Sequence, residues 1–465
     1  MVVDSGGVIQ RIHRGPISRE ELDRGIATIL PSRRRLPNVS RCPLRAACRK
    51  SVEFFVWDND AGDSNRLAPH LEEERMRSRI SILVATLVVA SGCHDAPTGP
   101  SRRLAADTLH GTTARRATSD APQTSTVRWN RSAILLARAR GGPAFRINSY
   151  LSIAQYRAVL ATQDERQSQS RPSPAGAVAG ASVVVLKAFF PLDAAAIDAE
   201  LAAQRAESPL GTEINTDFTA GEEIGRDVAV AVLAWAASDN FGVASPGSPP
   251  VGPGYWVSSG APLVTGGFGA RPFFLTSGSE LLSGPPPLFE SDQYFDALSE
   301  VLAITSHRTP AQEAIARKWH PAANPVWNGV TTDLLEQYHR SELESARILA
   351  YANAAEFDAA IACFGTKFTY WYIRPTQAEP AITVPTGLIL PNHPSYPSAH
   401  SCSTGAWQGV LTDAFPSERA YLDALTEEAG ISRIYAGFHF RFDIEAGQAL
   451  GRGVARLALE RRGLE

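Results

Sequence analysis

From about residue 127 to the C-terminus, apolar residues recur with a helical rather than an alternating period. Residues 127–139 are apolar-periodic, and 175–190 (AGAVAGASVVVLKAFF) form a small-residue apolar run that Pro191 stops. Residues 192–206 are Ala-rich with spaced acids, and 220–237 repeat that pattern up to Ser238-Asp239-Asn240. Ser341-Glu342-Leu343-Glu344 reads as a capping box that opens a helix through Ile348, Leu349 and Tyr351. No useful length alternates as a strand would, so the predicted class is all-α, with a core of packed helical bundles. Between Phe241 and Phe289 lies a Gly/Pro/Ser-rich stretch carrying Tyr255, Trp256, Phe268, Phe273 and Phe274. Loops of this length are often functional, and a connection pinned by aromatic anchors is an equal alternative.

The N-terminal part breaks this pattern. Residues 1–75 are rich in Arg, Pro and Gly and show no sustained period. The chain has two methionines, Met1 and Met76, and from the second it reads MRSRISILVATLVVASGC. Two arginines, a short apolar run and small residues before a cysteine are the layout of a secretory signal. The cysteine after Ser91-Gly92 resembles a bacterial lipobox, with Ala90 standing where Leu is usual. The expectation is a signal peptide at 76–92 and a lipid on Cys93; the alternative is a buried helix. A signal peptide works at an N-terminus, so residues 1–75 are expected to be upstream sequence, untranslated or disordered, with Met76 the start. Residues 93–126, polar and rich in Pro, Thr and Ala, read as a flexible tether to a domain over 127–465. Such a product is an exported periplasmic or cell-envelope lipoprotein of a bacterium. It would meet the membrane only through Cys93.

Composition narrows the possibilities further. With 45 Lys+Arg against 48 Asp+Glu, the net charge of −3 argues against a nucleic-acid partner. Hydrophobic residues at 44% exclude disorder throughout, and five cysteines in 465 residues are no disulfide scaffold. No apolar run reaches the roughly 18 residues that span a bilayer.

The chemistry concentrates in three segments within 367–443. In the first, Lys367 and Arg374 stand seven apart before Pro375. On a helix this spacing puts both cations on one side, to meet an anion or to form a solvated basic edge. In the second, Ser398 after Pro397 is a natural N-cap, and His400 falls in the first turn of the helix it opens. A helix N-terminus attracts anions, although a first-turn His also simply caps or packs. In the third, Asp443 follows His439 by four residues, so on a helix its carboxylate would fix the ring's tautomer; a surface pair is the plain alternative. Arg433, just upstream, adds a planar cation suited to tetrahedral oxyanions.

Taken in this order, K-x6-R-P, P-S-x-H and S-R-x5-H-x3-D resemble the signature of the type 2 phosphatidic acid phosphatase and vanadium haloperoxidase superfamily. Within it, SRIYAGFHFRFD and VVVLKAFFP resemble the soluble bacterial haloperoxidase-like branch. Two positions depart: Ala399 replaces a usual Gly, and Phe364 stands where fungal-type chloroperoxidases carry Trp.

The resemblance implies a role for each residue. Lys367, Arg374 and Arg433 would neutralise a tetrahedral oxyanion, with Ser398 and the Ala399 N–H completing the cage, and Lys367 would also act in catalysis by polarising the bound peroxide. His439 would ligate the vanadium of vanadate, or form a phosphohistidine in a phosphatase, oriented by Asp443; His400 would be the acid/base. The favoured reading is a vanadium-dependent peroxidase oxidising halide with hydrogen peroxide, its cofactor vanadate. Two alternatives stand beside it: a soluble periplasmic acid phosphatase acting on phosphomonoesters without a cofactor, and a non-catalytic oxyanion-binding lipoprotein that would have no need of His400. Cys363 and Cys402 flank the first two motifs, as a disulfide or as two core thiols.

Overall fold

Small residues at helical spacing let helices approach closely, and this sets the architecture. The computed structural model describes residues 2–3, 9–11, 123–164, 171–207, 216–242, 246–260, 263–320 and 322–464. The expected signal peptide, Cys93 and nearly all of the tether lie outside them.

In chain order the elements are β1 (Val2–Val3), β2 (Ile9–Arg11), α1 (Ser125–Arg140), α2 (Ala144–Asp164), β3 (Arg171–Pro172), α3 (Pro174–Phe189), α4 (Ala194–Glu207), β4 (Thr216–Asp217) and α5 (Phe218–Ala236). After the long loop come α6 (Asp292–Ser306), α7 (Pro310–Lys318), α8 (Asn324–Gln337), α9 (Glu342–Tyr370), α10 (Pro375–Ala378), α11 (Ala399–Ala414), α12 (Arg419–Tyr435) and α13 (Arg441–Arg461). β1 pairs antiparallel with β2, and β3 parallel with β4, each over two or three residues. The fold is all-α, as the periodicity predicts. Among the described residues, no helix is long and apolar enough to cross a membrane.

Local signals place the helix starts. Ser341 caps α9 with Glu344 completing the capping box, and Ser398 caps α11 by accepting from the Ser401 N–H. Thr124 caps α1, and the first residues of that helix are already buried, with the Ser125 and Thr126 N–H groups donating to Glu342. The first described helix therefore begins at Ser125, two residues before Val127. Helices α2, α6, α7, α8 and α12 are not among the elements anticipated from the sequence.

Two glycine-spaced pairs flank the centre. In α3 against α5, a Cβ on Gly180 would lie 2.1 Å from the Glu222 carbonyl oxygen, and one on Gly225 1.9 Å from that of Ala177. In α11 against α13, a Cβ on Gly451 would lie 2.1 Å from the Cys402 carbonyl oxygen. The 29-residue α9 runs between these pairs and touches α2, α11 and α13. Its alanines from Ala346 to Ala362, all but Ala360, are buried. A helix with no polar face belongs in the middle of a bundle.

Backbone hydrogen bonds pin the described parts of the long loop. Asp358, on α9 and fully buried, accepts the N–H groups of Phe273, Phe274 and Leu275 at 2.7–2.8 Å. Further upstream, the Trp256 N–H donates to the Trp371 carbonyl, and the Ile373 N–H to that of Gly254. The loop is thereby tied to the segment that follows α9, where the first motif lies.

Candidate active site

The three motifs converge, although not by the local geometry their spacing suggests. Helix α9 ends at Tyr370, and Trp371 turns left-handed at φ 49°. Arg374 therefore lies on extended chain, not on the helical face of Lys367. The two cations meet because the chain reverses, and both are fully buried. Likewise His439 precedes α13, while Asp443 sits in its first turn, so the contact spans a helix entry.

Hydrogen bonding around His439 assigns its proton. A carboxylate only accepts, so His439 Nδ1–H donates to Asp443 Oδ2 at 2.9 Å and Nε2 keeps its lone pair. That bare nitrogen is 3.5 Å from Arg374 Nη1. Oδ2 also accepts from Ser395 Oγ at 2.5 Å and from the Phe440 N–H at 3.1 Å. Burial raises the Asp443 carboxyl to about 6, opposed by these donors and by Lys367 and Arg374. His439 is held well below its ordinary value by burial and by the surrounding cations. It is neutral, as a nucleophile or ligand must be.

Each cation is held by the backbone. Lys367 Nζ donates to the carbonyls of Pro394 and Ser395 at 2.8 Å and to that of Pro397, so it grips the loop ahead of α11. Arg374 donates to the carbonyls of His393 and Phe438 at 2.8 and 2.9 Å. Arg433 donates to Ser432 Oγ at 2.9 Å and to the Ala316 carbonyl at 3.3 Å. Burial pushes Lys367 down to about 8, Arg374 to about 10 and Arg433 to about 9. Among the described residues, Asp443 is the carboxylate that acts on Lys367 and Arg374, and none acts on Arg433. Three buried cations against one carboxylate leave an excess that a polyanion would neutralise.

Ser398 is buried at the cap of α11, and Ala399 is the first helical residue, packed against Trp256, Phe364, Phe368 and Trp371. The first N–H groups of a helix have no acceptor within it, which suits an anion. His400 follows, with Nε2 2.8 Å from the Trp319 carbonyl. A carbonyl only accepts, so Nε2 carries the proton and Nδ1 is the basic atom. Burial and Arg433 keep this ring well below its ordinary pKa.

Sequence reasoning misses two residues. Ser395 completes the support of Asp443, and His393, buried, accepts from Arg374 Nη2 on Nδ1 at 3.0 Å and meets the Phe364 ring edge-on at 5.1 Å. Both lie in PNHPSYPS, directly ahead of the second motif, and that adjacency was the available signal. Cys363 and Cys402 are buried thiols in contact, one turn before Lys367 and one turn after Ser398 respectively.

This geometry defines a class before any relative is considered: a helical bundle that buries three cations around one unprotonated, carboxylate-oriented histidine nitrogen. Residues 346–462 match the PAP2 superfamily, and these include the three motifs. The fold is similar to that of the first bacterial vanadium-dependent iodoperoxidase, with TM-score 0.59 and 21% identity over 73% of this chain and 95% of that one. It is also similar to a bacterial vanadium-dependent chloroperoxidase. The apo form aligns with TM-score 0.54 and 15% identity over 68% of this chain and 92% of that one. The holo form aligns with TM-score 0.56 and 15% identity over 74% and 98%. No curated protein matches in sequence. The match to the PAP2 superfamily over 346–462 and the fold shared with the bacterial vanadium haloperoxidases agree with the resemblance that the three motifs carry.

Proposed function

We propose that the protein is a vanadium-dependent haloperoxidase-like enzyme, in which bromide, hydrogen peroxide and a proton give hypobromous acid and water. The observation that carries this reading is the bare Nε2 of His439 among three buried cations. The cradle's excess positive charge and that one nitrogen donor suit vanadate. His439 would be the ligand to vanadium, while Lys367, Arg374, Arg433, Ser398 and the Ala399 N–H would hold the oxygens. Bound vanadate would supply the electrophilic centre at which peroxide becomes an oxidant of halide.

The chain's own groups do the rest. Asp443 and Ser395 keep the His439 proton on Nδ1. His400, neutral and bare at Nδ1, is set to accept the proton of an incoming peroxide and return it later. The aromatic wall of Trp256, Phe364, Phe368 and Trp371 excludes water beside Ala399. What favours a peroxidase over a phosphatase is the extent of the shared fold, which takes in nearly the whole length of the haloperoxidases. The signal layout supports export and a lipid at Cys93 as part of the same reading.

The test uses the purified protein stripped of bound anions. Orthovanadate should switch on peroxide-dependent bromination of a phenol dye, and His439→Ala should abolish it. His400→Ala should retain vanadate and lose about 10²–10⁴-fold in turnover, the scale for a positioned acid/base. Phosphomonoester hydrolysis that vanadate inhibits, with no bromination, would overturn the peroxidase reading and favour a phosphohistidine enzyme using the same cradle.

A further inference from the structure

One buried polar atom beside the cradle has no partner and no role in the chemistry above. His320 follows Trp319, whose carbonyl holds His400, and Ala316 in the preceding turn accepts from Arg433. The His320 ring lies 6.0 Å from that of Phe438, which stands 5.7 Å from the Arg433 guanidinium and whose carbonyl accepts from Arg374. The segment carrying His320 is thus bonded to two residues of the site, and its ring rests against a residue bonded to a third.

The proton on this ring can be placed. His320 Nε2 is 3.3 Å from the Ile389 N–H, which can only donate, so Nε2 accepts and the hydrogen of the neutral ring is on Nδ1. Burial and the charges of Arg433 and Arg317 hold the ring below its ordinary pKa, consistent with that neutral form. Nδ1 is shut off from solvent and has no hydrogen-bond partner among the described residues. A buried N–H donor left without an acceptor is costly, and natural structures rarely retain one without a use. The ring is close enough to Arg433 and His400 for their charges to act on one another, which makes an anion held by Arg433 the nearest candidate for the missing acceptor.

We propose that His320 is a further anion-binding residue, donating its Nδ1–H to an oxygen of the tetrahedral oxyanion on the Arg433 side. The proposal rests on the oxyanion-cradle reading and adds to it a neutral donor from the α7–α8 connection. It assigns no part in proton transfer to His320, because a ring with its basic nitrogen on the Ile389 N–H has none to spare.

Calorimetry on the full chain with orthovanadate, and separately with inorganic phosphate, tests this. His320→Leu should weaken binding about tenfold or more, the scale for a hydrogen bond to a charged acceptor. His320→Asn, whose side-chain amide can donate from the Nδ1 position, should stay within about threefold of the parent. Arg433→Ala serves as the measure of the cradle itself. Selective ¹⁵N-histidine labelling of the unmutated protein gives a second readout, in which the His320 Nδ1–H resonance should shift and become protected from exchange when phosphate is added. Should His320→Leu fail to fold, that resonance decides. If Arg433→Ala loses binding while His320→Leu binds like the parent and the resonance does not move, the role for His320 is overturned and the cradle stands. If neither anion binds the parent, the cradle reading fails and this proposal falls with it.

Discussion

Replacing Arg433 with methionine should make the anion-free protein more stable and the anion-saturated protein less so. Arg433 is 1% exposed and has two hydrogen bonds, to Ser432 Oγ and the Ala316 carbonyl, with no carboxylate beside it. Burial drives its pKa to about 9. At about 1.4 kcal/mol per pKa unit, holding that guanidinium charged in the fold costs about 5 kcal/mol. The two lost hydrogen bonds return about 2–3 kcal/mol of that, so Arg433→Met should gain about 2 kcal/mol in anion-free buffer. Urea unfolding with linear extrapolation reads this directly. Orthovanadate at a hundred times its dissociation constant should stabilise the parent by about 2.7 kcal/mol and the variant by close to nothing, reversing the order of the two proteins. The pH dependence has a definite sign. Above pH 9 the folded parent sheds a proton that its unfolded chain retains, so the parent gains stability with pH and the advantage of the variant shrinks. A variant more than about 1 kcal/mol less stable than the parent without anion would refute the burial cost. A variant that keeps the anion-induced gain would refute the cradle.

Three further outcomes are expected. Asp443 titrates at about 6 in the folded protein, so activity should fall as pH drops through that value and its carboxylate ceases to hold the His439 Nδ1–H; Asp443→Asn should flatten the profile and cost about 10²–10⁴-fold in turnover by freeing the tautomer. Because the folded carboxyl binds its proton more tightly than the unfolded one, the same group makes the fold less stable, not more, as pH rises towards 6. Gly451→Ala sets a methyl against the Cys402 carbonyl, forcing α13 away from α11, and should cost about 1–3 kcal/mol in urea unfolding with weaker phosphate binding; Gly329→Ala on α8, where a Cβ meets nothing, should be neutral or stabilising. Mass spectrometry of the protein from its native membranes should show an acylated N-terminal Cys93, and an unmodified Cys93 inside a longer peptide would end the lipoprotein reading.

Much of this protein is legible along the chain, because the signals are local. The caps at Ser341 and Ser398, the apolar run over 175–190 and the absence of strand alternation each depend on residues within a turn or two of one another. The three motifs also name most of the side chains that converge, since the proposed oxyanion cradle calls for particular residue types. How those side chains meet is not local. Lys367 and Arg374 come together through a left-handed turn at Trp371, and His439 reaches Asp443 across a helix entry, not along one. Helices α6, α7 and α12 are plainly amphipathic, and Thr309 with Gln312 forms a capping box on α7, so these elements were legible but are passed over by a reading drawn to apolar runs and motifs. Of the helices not anticipated, α2 and α8 pack against α9, whereas α6 and α7 pack against α12. His393, Ser395 and His320 look ordinary in sequence, because what marks them is a partner tens of residues away, or the lack of one. Local propensity and side-chain chemistry are written in the chain itself. Burial, proton placement and the excess charge of the cradle exist only once distant segments have excluded water around one another.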